Sequence, residues 1–293
     1  MSILISQNTK VLVQGMTGKE GAKGAKAMSD YGTSVLCGVT PGKGGQEVDG
    51  KPVYNSVGEA MTVFPDINTS VIYVPPFAAK AAILEAIENN ISLINVFVER
   101  IPIADTAYCL AAAKEKGIRI LGPSSLGCVV PGVARLGVMG GPQVQEIFTP
   151  GSIGVISRSG GMSNELSWQL TKQGLGQSTT VHVGGDLLMG TTYADLLRLF
   201  EADEQTKAVM IYGEHGGSYE FEIVDLIQNK EYTKPLAIYI GGKFVSAFPE
   251  GMNIGHAGAI VERGKGAAEK EAALHSVGVR IAQRYEDLVT LVQ

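Results

Sequence analysis

Residues 10–21 read KVLVQGMTGKEG, which is a short apolar run, then a glycine-rich turn, then the start of an alanine-rich helical stretch. Glycines between a strand and a helix let a phosphate group approach the backbone amides and the positive end of the helix dipole. Gly15 and Gly18 fit this pattern, but Thr17 stands at the middle glycine position of G-x-G-x-x-G. One such motif is weak evidence, so a plain tight turn is the competing interpretation.

The first half of the chain repeats this alternation of strand and helix. Apolar, β-branched runs predict strands at 10–14, 34–39, 70–74, 92–98 and 119–121, and helical spacing predicts helices at 78–90 and 104–116. Such repetition predicts a parallel sheet with helices on both faces and ligands at the carboxyl ends of its strands. We therefore predict a Rossmann-like domain over residues 1–145, ending near the punctuated segments 140–142 and 149–151.

The pattern then starts again, which predicts a second parallel-sheet domain of flavodoxin-like type over residues 146–293. Its predicted strands are 153–157, 180–183, 208–212, 236–240 and 279–281. Its predicted helices are 163–173, 193–201, 220–228, 266–276 and 285–293. The fold class predicted for the whole chain is therefore α/β.

Composition limits the classes of function. The 293 residues suit two domains of ordinary size, and 45% hydrophobic with 18% charged residues fits a globular protein. A net charge of -5 argues against a nucleic-acid partner, because such binding usually needs a basic face. Three cysteines without metal-ligand spacing predict reduced thiols, and no apolar run is long enough for a bilayer. We predict a soluble, cytoplasmic protein.

Lys43 follows the second predicted strand in the segment TPGKGG, residues 40–45. Folds that bind NAD usually place an acid about 20 residues after the glycine loop, where it grips the ribose hydroxyls. A lysine suits a phosphorylated ribose instead, as in CoA or NADP, although a solvated turn lysine is the plain alternative. The segment is not an ATP P-loop, because Gly44 replaces the Ser or Thr that would hold magnesium.

A second glycine loop, SRSGGMSNE at residues 157–165, opens the second domain. Free amides at the start of the following helix, together with the Ser159 hydroxyl, would form a site for a phosphate or a carboxylate. Gly160 and Gly161 would bring those amides close to the ligand. The alternative is an ordinary capped helix, which needs only one hydroxyl.

Among the four histidines, His256 differs because it lies between small residues in the segment GHAG, residues 255–258. An imidazole can attack phosphorus, and a carboxylate on its other nitrogen would fix the tautomer. Glu214 is the candidate carboxylate. A structural histidine is the competing interpretation, and it is the one we favour for His182 and His275.

Taken together, three segments closely resemble the α subunit of succinyl-CoA synthetase and the corresponding part of ATP-citrate lyase. They are residues 157–165, VGGD at 183–186 and IGHAGA at 254–259, and the resemblance extends from the N-terminal MSILI to the final helix. It implies a CoA-binding first domain. The residues it assigns to CoA are Gly15, Thr17, Gly18, Lys19 and Glu20 at the phosphates and adenosine, and Lys43, Val74, Pro75 and Glu99 along the groove.

The resemblance also implies a mechanism. His256 is phosphorylated in turnover, Glu214 supports it, and the helix start at Ser159 and Gly160 receives the phosphoryl group. ATP or GTP, with magnesium, binds mainly on an ATP-grasp β subunit in an αβ or α2β2 assembly. The acid then takes the phosphoryl group from histidine, and CoA displaces phosphate from the acyl phosphate.

The chain also departs from the family pattern. The family loop Gly-Pro-Asn-Cys-Pro-Gly reads GPSSLG at residues 122–127, so that Ser125 replaces a cysteine, and Arg100 replaces an expected glycine. Gly161 replaces a threonine, as in ATP-citrate lyases, which opens space for a bulkier acid. We predict succinate as the acid, with citrate or malate as the alternative. Two other classes stay open, namely a non-catalytic CoA-binding sensor and a dinucleotide-dependent oxidoreductase.

Overall fold

The computed structural model describes residues 3–253, 255–260, 262 and 264–293, and it contains two seven-stranded sheets. Met1, Ser2 and Ile254, which belong to the motifs quoted above, lie outside the described residues. Among the residues that are described, no helix is long and apolar enough to cross a membrane. The three cysteines are buried and unbridged.

The first sheet has the strand order of a Rossmann fold. Its strands are β1 (Lys10–Gln14), β2 (Ser34–Val39), β3 (Glu47–Val48), β4 (Lys51–Tyr54), β5 (Thr69–Ile72), β6 (Leu93–Val96) and β7 (Arg119–Leu121). They lie in the order β3-β4-β2-β1-β5-β6-β7, and only β3 runs antiparallel to its neighbour. Without β3 this is the 3-2-1-4-5-6 order of dinucleotide-binding sheets, as predicted. The prediction omitted β3 and β4.

Helices cover both faces of this sheet. They are α1 (Lys19–Asp30), α2 (Val57–Val63), α3 (Pro76–Glu88) and α4 (Ile103–Glu115), of which α2 was not predicted. Alternate residues of the strands point to opposite faces, so Val11 and Val13 pack in the cluster that includes α1 while Leu12 packs with α2, α3 and α4. This arrangement leaves the carboxyl ends of the strands open to a ligand.

The second sheet is flavodoxin-like with an added hairpin. Its strands are β8 (Gly127–Val130), β9 (Ala134–Gly137), β10 (Pro150–Ser157), β11 (Gln177–His182), β12 (Ala208–Glu214), β13 (Leu236–Gly241) and β14 (Arg280–Ile281). The order is β14-β13-β12-β10-β11-β8-β9, so the five parallel strands follow the 2-1-3-4-5 pattern. Its helices are α5 (Val144–Ile147), α6 (Gly160–Lys172), α7 (Tyr193–Ala202), α8 (Phe221–Gln228), α9 (Ala267–Ser276) and α10 (Leu288–Leu291). The predicted helix at 285–293 is instead a 3₁₀ turn, Tyr285–Asp287, followed by α10.

The hairpin of β8 and β9 ties the two sheets together. It precedes residue 145, yet β8 pairs antiparallel with β11 of the second sheet. Its other side contacts the first domain, where the Thr33 hydroxyl donates to the Arg135 carbonyl at 2.8 Å. The chain therefore passes from the first sheet to the second between Leu121, where β7 ends, and Gly127, where β8 begins. The domain boundary at residue 145 stays a prediction.

Candidate active site

The site lies where three neighbouring strands of the second sheet end. β10 is hydrogen-bonded to β11 on one side and to β12 on the other, with all three parallel. Their carboxyl ends therefore meet at one edge, and each continues into a loop that the sequence singled out. The loops after β10 and β11 contain Ser159 and Gly185, and Glu214 is the last residue of β12. The segment with His256 lies against Gly185 and Glu214.

His256 is paired with Glu214, as predicted from the sequence. Its Nδ1 lies 2.9 Å from Glu214 Oε1 and 3.1 Å from Oε2. Glu214 is the last residue of β12 and its side chain is 14% exposed, against 39% for His256. The hydrogen bond that Nδ1 donates to the Glu214 carboxylate raises the pKa of His256, while burial opposes that rise. A carboxylate on Nδ1 leaves Nε2 as the nitrogen that can attack phosphorus.

Glycine at two positions makes room for side chains of the site, His256 at one and Arg158 at the other. A Cβ atom at Gly185 would lie 2.8 Å from Cγ of His256, and one at Gly258 would lie 1.9 Å from Nη2 of Arg158. The Gly258 amide donates to the Gly185 carbonyl at 3.1 Å. The Asn253 side chain holds the His256 carbonyl at 2.8 Å, so the histidine loop is fixed from both sides.

Arg158 is a site residue that the sequence reasoning quoted without giving it a role. Its side chain is 4% exposed, and its Nε lies 3.8 Å from Glu214 Oε2. Nη2 donates to the Asp186 carbonyl at 2.7 Å, and Nη1 contacts Met189 Sδ at 3.2 Å. A buried guanidinium beside the carboxylate adds fixed positive charge where a phosphoryl group would arrive. An arginine between two serines in a loop of small residues was the available signal.

The second glycine loop leads into a helix start that is capped by a side chain, and its use as a phosphate or carboxylate site stays a prediction. Ser159 is the N-cap of α6 and accepts a hydrogen bond from the Met162 amide at 3.5 Å. The amides of Gly160 and Gly161 occupy the first turn, where a helix supplies them no internal partner. A Cβ at Gly160 would lie 2.4 Å from the Leu126 side chain, whereas one at Gly161 would meet only Ser159 Oγ, at 4.0 Å. Gly160 is thus required by packing and Gly161 is not.

The first glycine loop lies at the carboxyl end of β1. Gly15 has a φ of 83°, and a Cβ there would lie 2.7 Å from the Tyr73 carbonyl oxygen. Gly18 is the N-cap of α1 and provides no side-chain cap, so first-turn amides stay available, with Lys19 and Glu20 exposed beside them. The Thr17 hydroxyl donates to Thr40 Oγ1 at 3.2 Å, which joins this loop to the loop after β2.

The other predicted CoA residues lie along the same edge of the first sheet. Lys43 is exposed in the loop after β2, and the Asn55 side chain fixes that loop by accepting from the Gly42 and Gly44 amides, each at 3.0 Å. Val74 and Pro75 follow β5 and precede α3, and Glu99 follows β6. These positions agree with a groove across the strand ends.

Glu99 links the groove to the histidine. The hydrogen bond to Glu214 has the largest effect on the pKa of His256 and raises it, whereas burial lowers it. The charge of Glu214 raises this pKa, the charge of Arg158 lowers it, and the Glu99 carboxylate adds a smaller rise. Glu99 accepts a hydrogen bond from the Ser124 hydroxyl at 3.3 Å. The end of the first groove and the histidine site are therefore close enough to share an electrostatic field.

The departures from the family pattern have local structural consequences. Arg100 and Ser124 both have positive φ, 59° and 61°, which is a left-handed conformation that glycine adopts without strain. Ser125 is fully buried; its hydroxyl donates to the His182 carbonyl at 2.5 Å and accepts from the Gly127 amide at 3.0 Å. Ser125 therefore fixes the loop between the two sheets.

His182, interpreted from sequence as structural, bridges two of the loops. Its Nδ1 accepts from the Leu126 amide at 2.8 Å, and its Nε2 lies 3.1 Å from the Arg158 carbonyl, to which it donates in the matching tautomer. Burial lowers the pKa of His182 to about 4, so the ring is neutral at pH 7. It connects the loop at 122–127 with the loop that carries Ser159.

Comparison with known proteins gives a separate match for each half of the chain. A CoA binding domain model matches residues 6–100, and a CoA-ligase model matches residues 156–279. The chain is 44% identical to succinate–CoA ligase [ADP-forming] subunit alpha 2 of Archaeoglobus fulgidus, over 100% of this chain and 99% of the relative. It is 40% identical to the ADP-forming sulfoacetate-CoA ligase subunit SauD of Bilophila wadsworthia, over 100% and 99%.

A solved structure supports the fold. ATP citrate lyase from Methanothrix soehngenii, in complex with citrate and coenzyme A, has a TM-score of 0.91 and 24% identity, over 99% of this chain. The chain spans 50% of that larger chain. A CoA-binding domain followed by a CoA-ligase domain defines the class of enzyme as a CoA ligase. Within that class, the chain belongs to the family of α subunits of ADP-forming succinate–CoA ligases.

Proposed function

We propose that this chain is the phosphohistidine-bearing subunit of a nucleotide-dependent acid:CoA ligase. The observation that carries the proposal is the His256–Glu214 pair, with 2.9 Å between Nδ1 and Oε1, at the edge where α6 begins. The pair leaves Nε2 for the phosphoryl group, and the free amides of the helix start suit the negative charge of that group.

The reaction divides into three displacements. Nε2 of His256 attacks the terminal phosphorus of the nucleoside triphosphate; the N–P bond forms and the diphosphate leaves. A carboxylate oxygen of the acid then attacks the same phosphorus, which releases the neutral imidazole and gives an acyl phosphate. The CoA thiol, losing its proton, attacks the acyl carbon, and inorganic phosphate leaves. Glu214 stabilises the positive charge that develops on the imidazole during the first step.

The assignment of CoA to the first domain rests on the same kind of argument. Residues 15–20 supply helix-start amides, and Lys43 supplies a cation that suits the ribose phosphate. Val74, Pro75 and Glu99 continue the groove toward His256. The thiol end would therefore lie near the histidine loop, where the acyl phosphate must form.

The partner would be a β subunit of the ATP-grasp type, in an αβ or α2β2 assembly. It would bring ATP or GTP and the magnesium ion that accompanies the triphosphate. Within the described part of the chain, no group of three or more His, Cys, Asp or Glu side chains could hold a metal. The curated relatives at 44% and 45% identity are themselves named as α subunits.

The acid we propose is succinate, for which those relatives are named. Citrate or malate is a second candidate, favoured by the open space at Gly161. A threonine there would narrow the helix start without a steric clash. We expect Gly161→Thr to lower kcat/KM for citrate and malate more than for succinate. If the ranking of the three acids is unchanged, Gly161 does not select the acid, and the case for citrate is lost.

The main test is covalent labelling of the histidine. The purified chain, a co-expressed ATP-grasp subunit, magnesium and γ-labelled ATP or GTP should give an acid-labile phosphoryl group on His256. His256→Ala should abolish the label, while His275→Ala, which changes an exposed histidine at the end of α9, should keep it. Label that persists in His256→Ala would overturn the proposal.

Two other classes give different outcomes in the same experiment. A non-catalytic CoA sensor would bind CoA but would leave His256 unlabelled with every nucleotide. An oxidoreductase would bind NAD or NADP far more tightly than CoA. Calorimetric titration with the three ligands therefore completes the test.

A further inference from the structure

A buried ion pair lies behind the Glu214 carboxylate. Lys270, in α9, has a side chain with 0% exposure, and its Nζ lies 2.6 Å from Oε2 of Glu220, whose side chain is 2% exposed. Nζ also donates to the backbone carbonyls of Glu214, at 2.7 Å, and Gly216, at 2.6 Å. The three N–H bonds of the ammonium group thus have three acceptors.

The ion pair contacts the backbone of Glu214 a second time, through Glu220. While one of its oxygens accepts from Lys270, the other, Oε1, accepts from the Glu214 amide at 3.3 Å. The pair therefore holds both the N–H and the C=O of the residue that carries the His256 partner. Lys270 also donates to the Gly216 carbonyl, so the ion pair fixes the turn after β12 as well.

Such a pair is poorly explained by stability alone. Removing two charges from water is unfavourable, and apolar side chains of similar volume often replace a buried pair without loss of stability. What apolar side chains cannot replace is the hydrogen bonds to a chosen stretch of backbone. A catalytic carboxylate that moves by about 1 Å can lose on the order of 100-fold in rate, so fixing its backbone has a direct effect on chemistry.

We propose that Lys270 and Glu220 are positioning residues that hold the Glu214 carboxylate against Nδ1 of His256. The inference rests on the proposed function for the role of Glu214. It adds a pair of residues that act through another residue and do not touch the reacting atoms. Their position along the chain gave no sign of this, because Lys270 Nζ reaches a carbonyl 56 residues away.

The test removes both charges together, in Lys270→Met with Glu220→Leu. The double variant leaves no unpaired buried charge, so we expect it to fold, with a Tm lowered by the loss of the hydrogen bonds to the Glu214 and Gly216 carbonyls. Two properties should nevertheless change. The His256 pKa, measured by NMR titration of the ring, should fall toward the ordinary value, and phosphorylation of His256 should slow at least tenfold.

A matched control is Lys234→Met. Lys234 also holds two backbone carbonyls, those of Phe200 and Asp203, each at 2.6 Å, but it lies away from the histidine. We expect this variant to lose stability while the His256 pKa and the phosphorylation rate stay at the parent values. This separates a local positioning effect from a general loss of stability. Glu220→Gln keeps the shape of Glu220 and the hydrogen bonds from Lys270 to the Glu214 and Gly216 carbonyls, so the same two changes should be smaller, although the buried Lys270 charge loses its carboxylate partner.

The outcomes distinguish the two proposals. A folded double variant with parental His256 pKa and parental phosphorylation would overturn the positioning inference and leave the proposed function intact. If the parent enzyme itself is never phosphorylated, the proposed function fails. The NMR titration would then still decide whether Lys270 and Glu220 hold the Glu214–His256 contact. Should the double variant unfold, the decision passes to Glu220→Gln, and an unchanged His256 pKa there overturns the inference.

Discussion

The contact with Glu214 determines how much of the His256 imidazole is protonated at a given pH. The hydrogen bond raises the pKa of His256, with burial acting against it. Only the neutral ring has the lone pair on Nε2 that attacks phosphorus. On the proposed function, the same contact stabilises the positive charge that develops on the imidazole in the transition state, and it moves the loss of the His256 proton to higher pH.

Replacing Glu214 by Gln should therefore change the pH dependence as well as the rate. Without the carboxylate, the His256 pKa falls, so the phosphorylation rate should reach half its plateau at a lower pH than in the parent. The plateau itself should be lower, because developing positive charge is no longer stabilised. A pH series of phosphorylation rates checks both effects. An unchanged half-maximal pH would contradict this account.

The same substitution has a stability effect whose sign follows from the raised pKa. A base with a raised pKa in the folded state stabilises that state below its unfolded pKa, and loses this contribution as pH rises through the folded pKa. The difference in unfolding free energy between the parent and Glu214→Gln should accordingly be larger near pH 6 than near pH 9. Denaturant titrations at the two pH values measure it.

Arg100 offers a second prediction at the scale of one residue. It is exposed and has a φ of 59°, a conformation that is strained by roughly 1–2 kcal/mol for a residue with a Cβ. Glycine removes that strain but gains freedom in the unfolded chain, roughly 0.5–1 kcal/mol. Arg100→Gly should therefore stabilise the protein by about 0.5–1 kcal/mol. Arg100→Ala keeps the strain and should not, and equal effects of the two would exclude the backbone explanation.

Residue chemistry was predictable from sequence where a motif surrounds the residue. His256 and Glu214 were found because small residues and strand ends mark them. Lys270 and Arg158 were not, since their contacts join α9 to the turn after β12 and β10 to the turn after β11. A sequence pattern of period two or 3.6 carries no information about which distant carbonyl a long side chain will reach.

At the scale of secondary-structure elements, most strands and helices were predicted to within about three residues, because each buries a regular apolar face. The β8–β9 hairpin was missed. Its strands are only four residues each, and a glycine begins β8 and ends β9, so neither gives a clear period. Its place in the second sheet depends on pairing between Cys128 and Val181, which is a long-range contact that local sequence does not encode.

His182 joins two of these elements, and its titration should be visible in stability. Burial lowers the pKa of His182 from 6.5 to about 4. Between these two pH values the unfolded chain binds a proton at His182 that the folded protein does not bind. This contribution is present above pH 6.5 and is lost as pH falls toward 4, by roughly 3 kcal/mol in total. His182→Gln cannot take up that proton, so its stability should decline less over this range. Parallel decline in both proteins would contradict the prediction.

In the whole molecule, the edges at which the strands of the two sheets have their carboxyl ends lie beside each other. One apolar cluster runs through both sheets, from Val13 and Val71 in the first to Val181 and Ile211 in the second. The positions that we propose for CoA lie on the first edge and His256 lies on the second, with Glu99 near the junction. On the proposed function, a substitution in the CoA groove should therefore leave the phosphoryl site unchanged, so that mutations separate the two functions.

Lys43→Ala tests that separation. Lys43 is exposed and its loop is held by Asn55, so the substitution should leave the fold intact. Loss of one charge-assisted hydrogen bond of about 1.5 kcal/mol should weaken CoA binding about tenfold. Binding of dephospho-CoA, which lacks the ribose phosphate, should hardly change. His256 phosphorylation should continue at the parental rate, because Lys43 and His256 stand on different sheets.

The control for this experiment is Lys114→Ala. Lys114 is an exposed lysine in the last turn of α4, which leads into the amino end of β7, at the opposite edge of the first sheet. Removing Lys114 lowers the net charge by the same amount as removing Lys43. The Lys114 variant therefore shows how much of a loss in CoA affinity comes from the net charge of the protein and not from direct contact with the ligand. Calorimetry with CoA and dephospho-CoA on both variants gives four affinities. If Lys43→Ala weakens both ligands equally, or if Lys114→Ala weakens CoA as much, then Lys43 does not bind the ribose phosphate. A loss confined to CoA in Lys43→Ala would fix the adenosine end of the groove at β2, and the thiol end would then point along β5 and β6 toward Glu99 and the histidine.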